Sequence, residues 1–178
     1  SNGGRGGTGN RRNQNTRSGG ATNAFKGTVK EMNGHVFQCY GEATEKNQFA
    51  RTVDELDTYV GLHFKRHPID MKRMIKSMTD TIIPTPTDHA DTATKTEIRI
   101  WEKEVDMMVL RRVTYDANKC TLYSVIWNQC SESMQAKIRS SHIFEIMSTD
   151  SNSLTLLLEI KGIAYKFESQ KNIYLALD

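Results

Sequence analysis

Residues Gly4-Arg-Gly6-Gly-Thr-Gly9 have the spacing of G-x-G-x-x-G, the glycine pattern that lets a backbone approach a pyrophosphate. That chemistry needs a strand before the glycines and a helix after them, so that a helix N-terminus faces the phosphates. The surrounding residues encode neither, and a dinucleotide site is set aside. His63 and His67 stand four residues apart, a spacing that suits two metal ligands on one helical face. Between them lie Phe64, Lys65 and Arg66, with no glutamate to serve as a base and two cations that disfavour a dication. Surface or capping histidines are expected. Cys39, Cys120 and Cys130 show no C-x-x-C spacing, so they predict buried structural thiols and no zinc knuckle. A nucleophile elbow, a P-loop and the Asp-Thr/Ser-Gly of aspartic proteases are all missing from the sequence. Asp150-Ser151-Asn152 reads as a helix start. The expectation is a non-enzyme: no catalytic residue, no metal, no cofactor and no small-molecule substrate.

One chemistry survives, the contact of arginine with phosphate. Residues 1–23 carry Arg5, Arg11, Arg12 and Arg17 and no acid, a charge of +4. The rest of the chain holds 20 basic and 21 acidic residues, a charge of −1. The excess positive charge is therefore confined to one end, where Arg5 among glycines forms an RGG-type arm. Arginines on a flexible backbone neutralise phosphates and release counterions, with strongly salt-dependent affinity. The arm has no aromatic on which bases would stack, so weak sequence preference is expected. RNA is the expected partner of these four residues; a solvated linker is the plain alternative.

The elements that carry this arm follow from patterning. Residues 1–23 contain no aromatic or large aliphatic residue and cannot offset chain entropy by burial, so they are expected to be disordered. From Phe25 to Tyr40 two β-prone arms flank Asn33-Gly34, a strong hairpin signal because Asn-Gly accepts positive φ. From Asn47 the apolar period turns helical through Phe49, Val53, Leu56, Val60 and Phe64. Pro68 can open a second helix with Ile69, Met71, Met74, Ile75 and Met78 inward. Residues 84–93 read as a polar linker after Pro84 and Pro86.

Thr94-Lys-Thr-Glu97 is a capping box. It opens a helix that should bury Ile98, Trp101, Val105, Met108 and Val109. A separate helix is expected over 119–128, a short one over 132–140, and a long one starting near Ser151 with Leu154, Leu157, Leu158 and Ile160 inward. Trp101, Trp127, Phe25, Phe37 and Leu157 are the expected anchors of the core or of an assembly surface. The eight methionines are expected mainly to fill the core. The fold class is mainly α, with an N-terminal β-hairpin, a helical bundle and a disordered tail. No apolar run reaches the roughly 18 residues that a membrane span needs, and no membrane partner is expected.

Several segments resemble the Gag polyprotein of copia-type (Ty1/copia) retrotransposons, in particular the lineage of diatoms and other marine algae. They are Phe25-Lys-Gly27, Gly34-His-Val-Phe-Gln-Cys39, Thr58-Tyr-Val-Gly61 and Thr121-Leu-Tyr-Ser-Val-Ile-Trp-Asn-Gln-Cys130. Further along come Ser133-Met-Gln-Ala-Lys-Ile138, Leu156-Leu-Leu-Glu-Ile-Lys161, Phe167-Glu-Ser-Gln-Lys171 and Tyr174-Leu-Ala-Leu177. Their order and spacing cover nearly everything after residue 24, as collinear similarity without a chemical signature. The resemblance implies a capsid-like helical bundle over residues 24–171 that self-associates around RNA in cytoplasmic virus-like particles. It also implies that residues 172–178 open a following domain. A capsid subunit suits a nearly neutral body, since copies must pack closely without mutual repulsion. The competing reading is an RGG-type RNA-binding adaptor unrelated to capsids.

Overall fold

The computed structural model describes residues 24–39 and 48–175, with side chains as far as Lys166. The expected disordered tail with Arg5, Arg11, Arg12 and Arg17 lies outside these residues, as does Tyr40 at the far end of the expected hairpin. A 3-10 turn at Lys30–Met32 is followed by helices α1 (Gln48–His63), α2 (Pro68–Ser77), α3 (Lys95–Asn128), α4 (Glu132–Arg139), α5 (Phe144–Thr149) and α6 (Ser153–Leu175). The described chain is thus mainly helical.

Local chemistry sets the helix ends. Pro68 occupies the first turn of α2, where its missing N–H costs nothing, and Met78 closes that helix in a left-handed conformation. Thr94 and Glu97 form the capping box of α3 reciprocally: Thr94 Oγ1 accepts from the Glu97 N–H and Glu97 Oε2 from the Thr94 N–H. Ser131 caps α4 by accepting from the Met134 N–H, and Asn152 accepts the Thr155 N–H at the start of α6. Residues 95–128 contain neither Gly nor Pro. Nothing therefore interrupts α3, and the two helices expected in this stretch are one of 34 residues, about 51 Å long.

One core joins the pieces. Phe37, Leu56, Val60, Met71, Met74, Ile75, Leu122, Ile126, Met134, Ile138, Leu156, Leu157 and Ile160 all belong to it. Each such side chain contributes roughly 1.5–3 kcal/mol by leaving water. Met32, Met71, Met74, Met134 and Met147 are buried, so the methionines do mostly fill the core; Met107 is the exception, 69% exposed. α5 was not anticipated, and it seats Met147. Ile69 and Leu158 point outward rather than into the core. Cys39 and Cys130 are buried as expected, but Cys120 is exposed. Burial pushes the Cys130 thiol up, with the neighbouring Cys39 adding to the shift, so it is an inert thiol. α6 runs through position 172 without a break.

The hairpin does not form. Asn33 and Gly34 take the positive φ angles that their types permit (53° and 78°), but within a 3-10 turn in which Asn33 N–H donates to the Lys30 carbonyl. The arms on either side pair with the end of α3 instead of with each other. The final carbonyls of a helix have no partner within it. Here the Asn128 carbonyl accepts from Thr28 N–H at 3.3 Å and the Gln129 carbonyl from Phe37 N–H at 2.8 Å. Phe37 returns its own carbonyl to the Ser131 N–H at 2.9 Å, giving an isolated parallel bridge to Cys130. A lone two-stranded hairpin is marginal in water, whereas this arrangement also satisfies carbonyls at the end of the helix.

The Gln129 side chain completes the junction. Wholly buried, it accepts from Val29 N–H at 2.9 Å and donates to the His35 carbonyl at 2.8 Å, one arm on each side. Gly27, at φ 76°, lies so close that a Cβ there would overlap the Gln129 amide. Thr52 of α1 secures the second arm by donating to the Val36 carbonyl at 2.9 Å.

Candidate interaction surfaces

α3 has two halves with different surroundings. Its buried residues begin at Thr114 and Tyr115 and continue through Leu122, Tyr123, Val125 and Ile126; none lies between Lys95 and Val113. That first half is covered on one side only. Residues 79–93, which include the linker expected over 84–93, form a strap along it. Arg112 donates to the Ile83 carbonyl and to Thr85 Oγ1, both at 2.9 Å, and His89 meets Trp101 edge to face at 5.1 Å. Beneath the strap Ile98, Trp101, Val105 and Met108 are half-buried. Val109, expected to face inward, is 51% exposed.

A polar cluster anchors the base of the strap. Tyr115 donates to Asp80 Oδ1 at 2.8 Å and accepts from the Thr81 N–H at 3.0 Å, while Lys119 reaches the same Asp80 oxygen at 2.8 Å. Burial, reinforced by Asp80, raises the Tyr115 phenol to about 12. Burial alone would raise the Asp80 carboxyl, but hydrogen bonds from Lys119 and Tyr115 outweigh it and hold it below its usual range.

Nearby, Arg111 clamps Asp70 of α2 through two hydrogen bonds of 2.7 and 2.6 Å. That bidentate contact is the main reason the buried Asp70 carboxyl stays below the ordinary carboxylate range. No helical period or short motif links residues 35 or 41 positions apart, so neither pair could be read from the sequence.

The other side of α3 is bare. Ile100, Met107, Leu110 and Val113, at steps of three and seven along the helix, are all more than half exposed. Below them the surface sinks into an open groove of about 510 Å³, lined by Tyr59, Phe64, Lys65, Arg66, Leu110, Val113 and small residues of α3 such as Ala117 and Thr121. No acidic residue lines it. Asn118 donates to the Arg66 carbonyl at 2.9 Å and so sets the α1–α2 corner beside α3. His63 ends α1, its ring on Tyr59, and His67 precedes α2 at φ 47°; the two histidines occupy different elements and do not share a helical face. Among the described residues no three His, Cys, Asp or Glu side chains are placed to hold a metal, and no helix is long and apolar enough to cross a membrane.

The expected anchors separate. Phe37 and Leu157 are core residues. Trp127 is half-buried against the core, stacked on Phe144 at 5.8 Å and under Arg139 at 5.2 Å. Phe25 is 42% exposed, since it precedes the first backbone contact with α3. Trp101 lies on the strap side of α3 outside the core, its indole N–H shielded from solvent without an acceptor. Trp127→Ala should therefore cost about 2 kcal/mol and Trp101→Phe close to nothing, which urea denaturation of each variant will measure.

No protein-family model matches this chain, and no curated protein or solved structure matches it significantly.

Proposed function

We propose that this chain is a capsid-like structural subunit of the Gag type that self-associates and holds RNA through its arginine arm in cytoplasmic particles. The observation that carries the reading is the bare apolar side of α3, since four large hydrophobic side chains on one side of a helix call for a partner surface. Further support comes from where the Gag-resembling segments fall. Gly34–Cys39 meets Thr121–Cys130 through the bonds around Gln129, and Ser133–Ile138 lies within α4, directly after that junction. The body's charge of −1 lets copies approach, and the +4 of residues 1–23 suits phosphate.

Sedimentation velocity and negative-stain microscopy, with and without RNA, test the reading. Rings, sheets or particles that grow with concentration and with RNA are expected; a monomer throughout the range in both conditions would refute it. Changing Arg5, Arg11, Arg12 and Arg17 together to Gln should weaken RNA binding. It should also flatten the slope of log K against log salt by about 3, at roughly 0.7 per phosphate on a single strand. The charge segregation also favours the adaptor reading. In that case deleting residues 1–23 removes RNA binding from a body that stays monomeric.

A further inference from the structure

We infer that the bare side of α3 is covered by the α3 of a second copy of this chain, antiparallel to the first about a two-fold axis near residues 108 and 109. The inference rests on the self-association just proposed and names its contact face.

Spacing is the first ground. Ile100, Lys103, Met107, Leu110, Thr114 and Ala117 recur at alternating steps of three and four, the seam of a helix pair. An antiparallel partner centred near 108–109 sets Met107 of one copy against Leu110 of the other. The same register sets Ile100 against Ala117. Shape follows from it: the large Ile100 and Met107 protrude from the first half of α3, and small Ala117 and Thr121 floor the groove beside the second half. Each ridge thus meets the other copy's groove, and a two-fold axis makes the contact twice.

Charge is the second, independent ground. Glu97 and Glu104 lie seven residues apart on one flank of the protruding half. On the same flank of the groove half stand Arg111 and, beside Asn118, the corner of Lys65 and Arg66. The antiparallel register brings Glu104 to Arg111 and Glu97 to Asn118 and that cationic corner. Lys65 and Arg66 make no ion pair with the described residues of their own chain.

Sedimentation velocity of the full chain, paired with disulfide trapping, tests the contact. Met107→Asp combined with Leu110→Asp should weaken dimerisation at least 100-fold with an unchanged melting temperature, because both side chains are exposed. Arg66→Glu should weaken it about tenfold. In a Cys120→Ser background, an equal mixture of Met107→Cys and Leu110→Cys chains should give the mixed disulfide dimer in preference to either self-linked dimer. Ile146→Cys, exposed on α5, should give no such trapping. A wild-type oligomer that survives Met107→Asp with Leu110→Asp, or trapping without preference for the mixed pair, overturns this contact and leaves self-association standing. A wild-type chain that never associates overturns self-association itself, and this contact with it.

Discussion

Gln129→Leu is expected to cost roughly 3 kcal/mol and to loosen residues 24–39 from the end of α3. Leucine nearly matches the side chain's volume, so packing is kept while two hydrogen bonds vanish. The Val29 N–H and the His35 carbonyl, satisfied by the Gln129 amide at 2.9 and 2.8 Å, are left in a site where that amide is wholly buried. Unmet polar groups of this kind cost about 1–3 kcal/mol each. Urea denaturation reads the total, and hydrogen exchange at the amides of Val29 and Phe37 shows where it falls. Far-UV circular dichroism should barely change, because the helices remain.

Gly27 supplies the internal control. Gly27→Ala combines a left-handed backbone with a methyl group overlapping the Gln129 amide. Its cost should shrink to the backbone part, about 1 kcal/mol, once Gln129 is replaced by Ala. A strictly additive double mutant would show that the two residues do not act together.

Arg111→Leu carries the second large effect, about 3 kcal/mol at pH 7, and its size should depend on pH. The Asp70 side chain is 2% exposed and Arg111 30%, so removing the arginine strands a buried carboxylate. Arg111 holds the folded-state Asp70 pKa below its ordinary value. The unfolded chain therefore takes up this proton first as the pH falls. The stabilisation is complete above the ordinary carboxylate range, near pH 4, and is lost as the pH drops through the depressed folded value. Asp80, likewise held low, adds to this in the same direction. The wild-type chain should thus lose stability below about pH 4. The gap between wild type and Arg111→Leu should be about 3 kcal/mol at pH 7 and should narrow as the pH falls below about 4, by at most about 1.4 kcal/mol per pH unit for this one proton. Denaturant midpoints across that pH range measure both; a constant gap would mean that Arg111 acts by packing alone.

Period and punctuation were legible wherever the deciding interaction was local. The stripe of Leu56, Val60 and Phe64, the proline start of α2, the capping box of Thr94 and Glu97 and the short helix after Ser131 all depend on neighbours within a few residues. Asn33-Gly34 was read correctly as a place for positive φ and wrongly as a hairpin. The dipeptide sets a backbone conformation but not the partner of the flanking arms, and here unsatisfied helix carbonyls about 90–100 residues away compete for the same N–H groups. The apolar period of 98–109 identified a helix face, but the cover over its first half is a strap, whose His89 meets Trp101, and Val109 stays half exposed.

By itself the sequence determined the helical class, most helix starts and the separation of a cationic arm from a neutral body. Each of these depends on residue type, short spacing or net charge, none of which needs the chain to be folded. Only the tertiary structure decided that Gln129 holds both N-terminal arms, that Arg111 clamps Asp70, and that one side of a 34-residue helix stays bare above a cationic groove. These are contacts between positions 30 to 100 residues apart. Their partners are chosen by competition for buried hydrogen bonds and apolar cover, and that competition is resolved only when the whole core assembles.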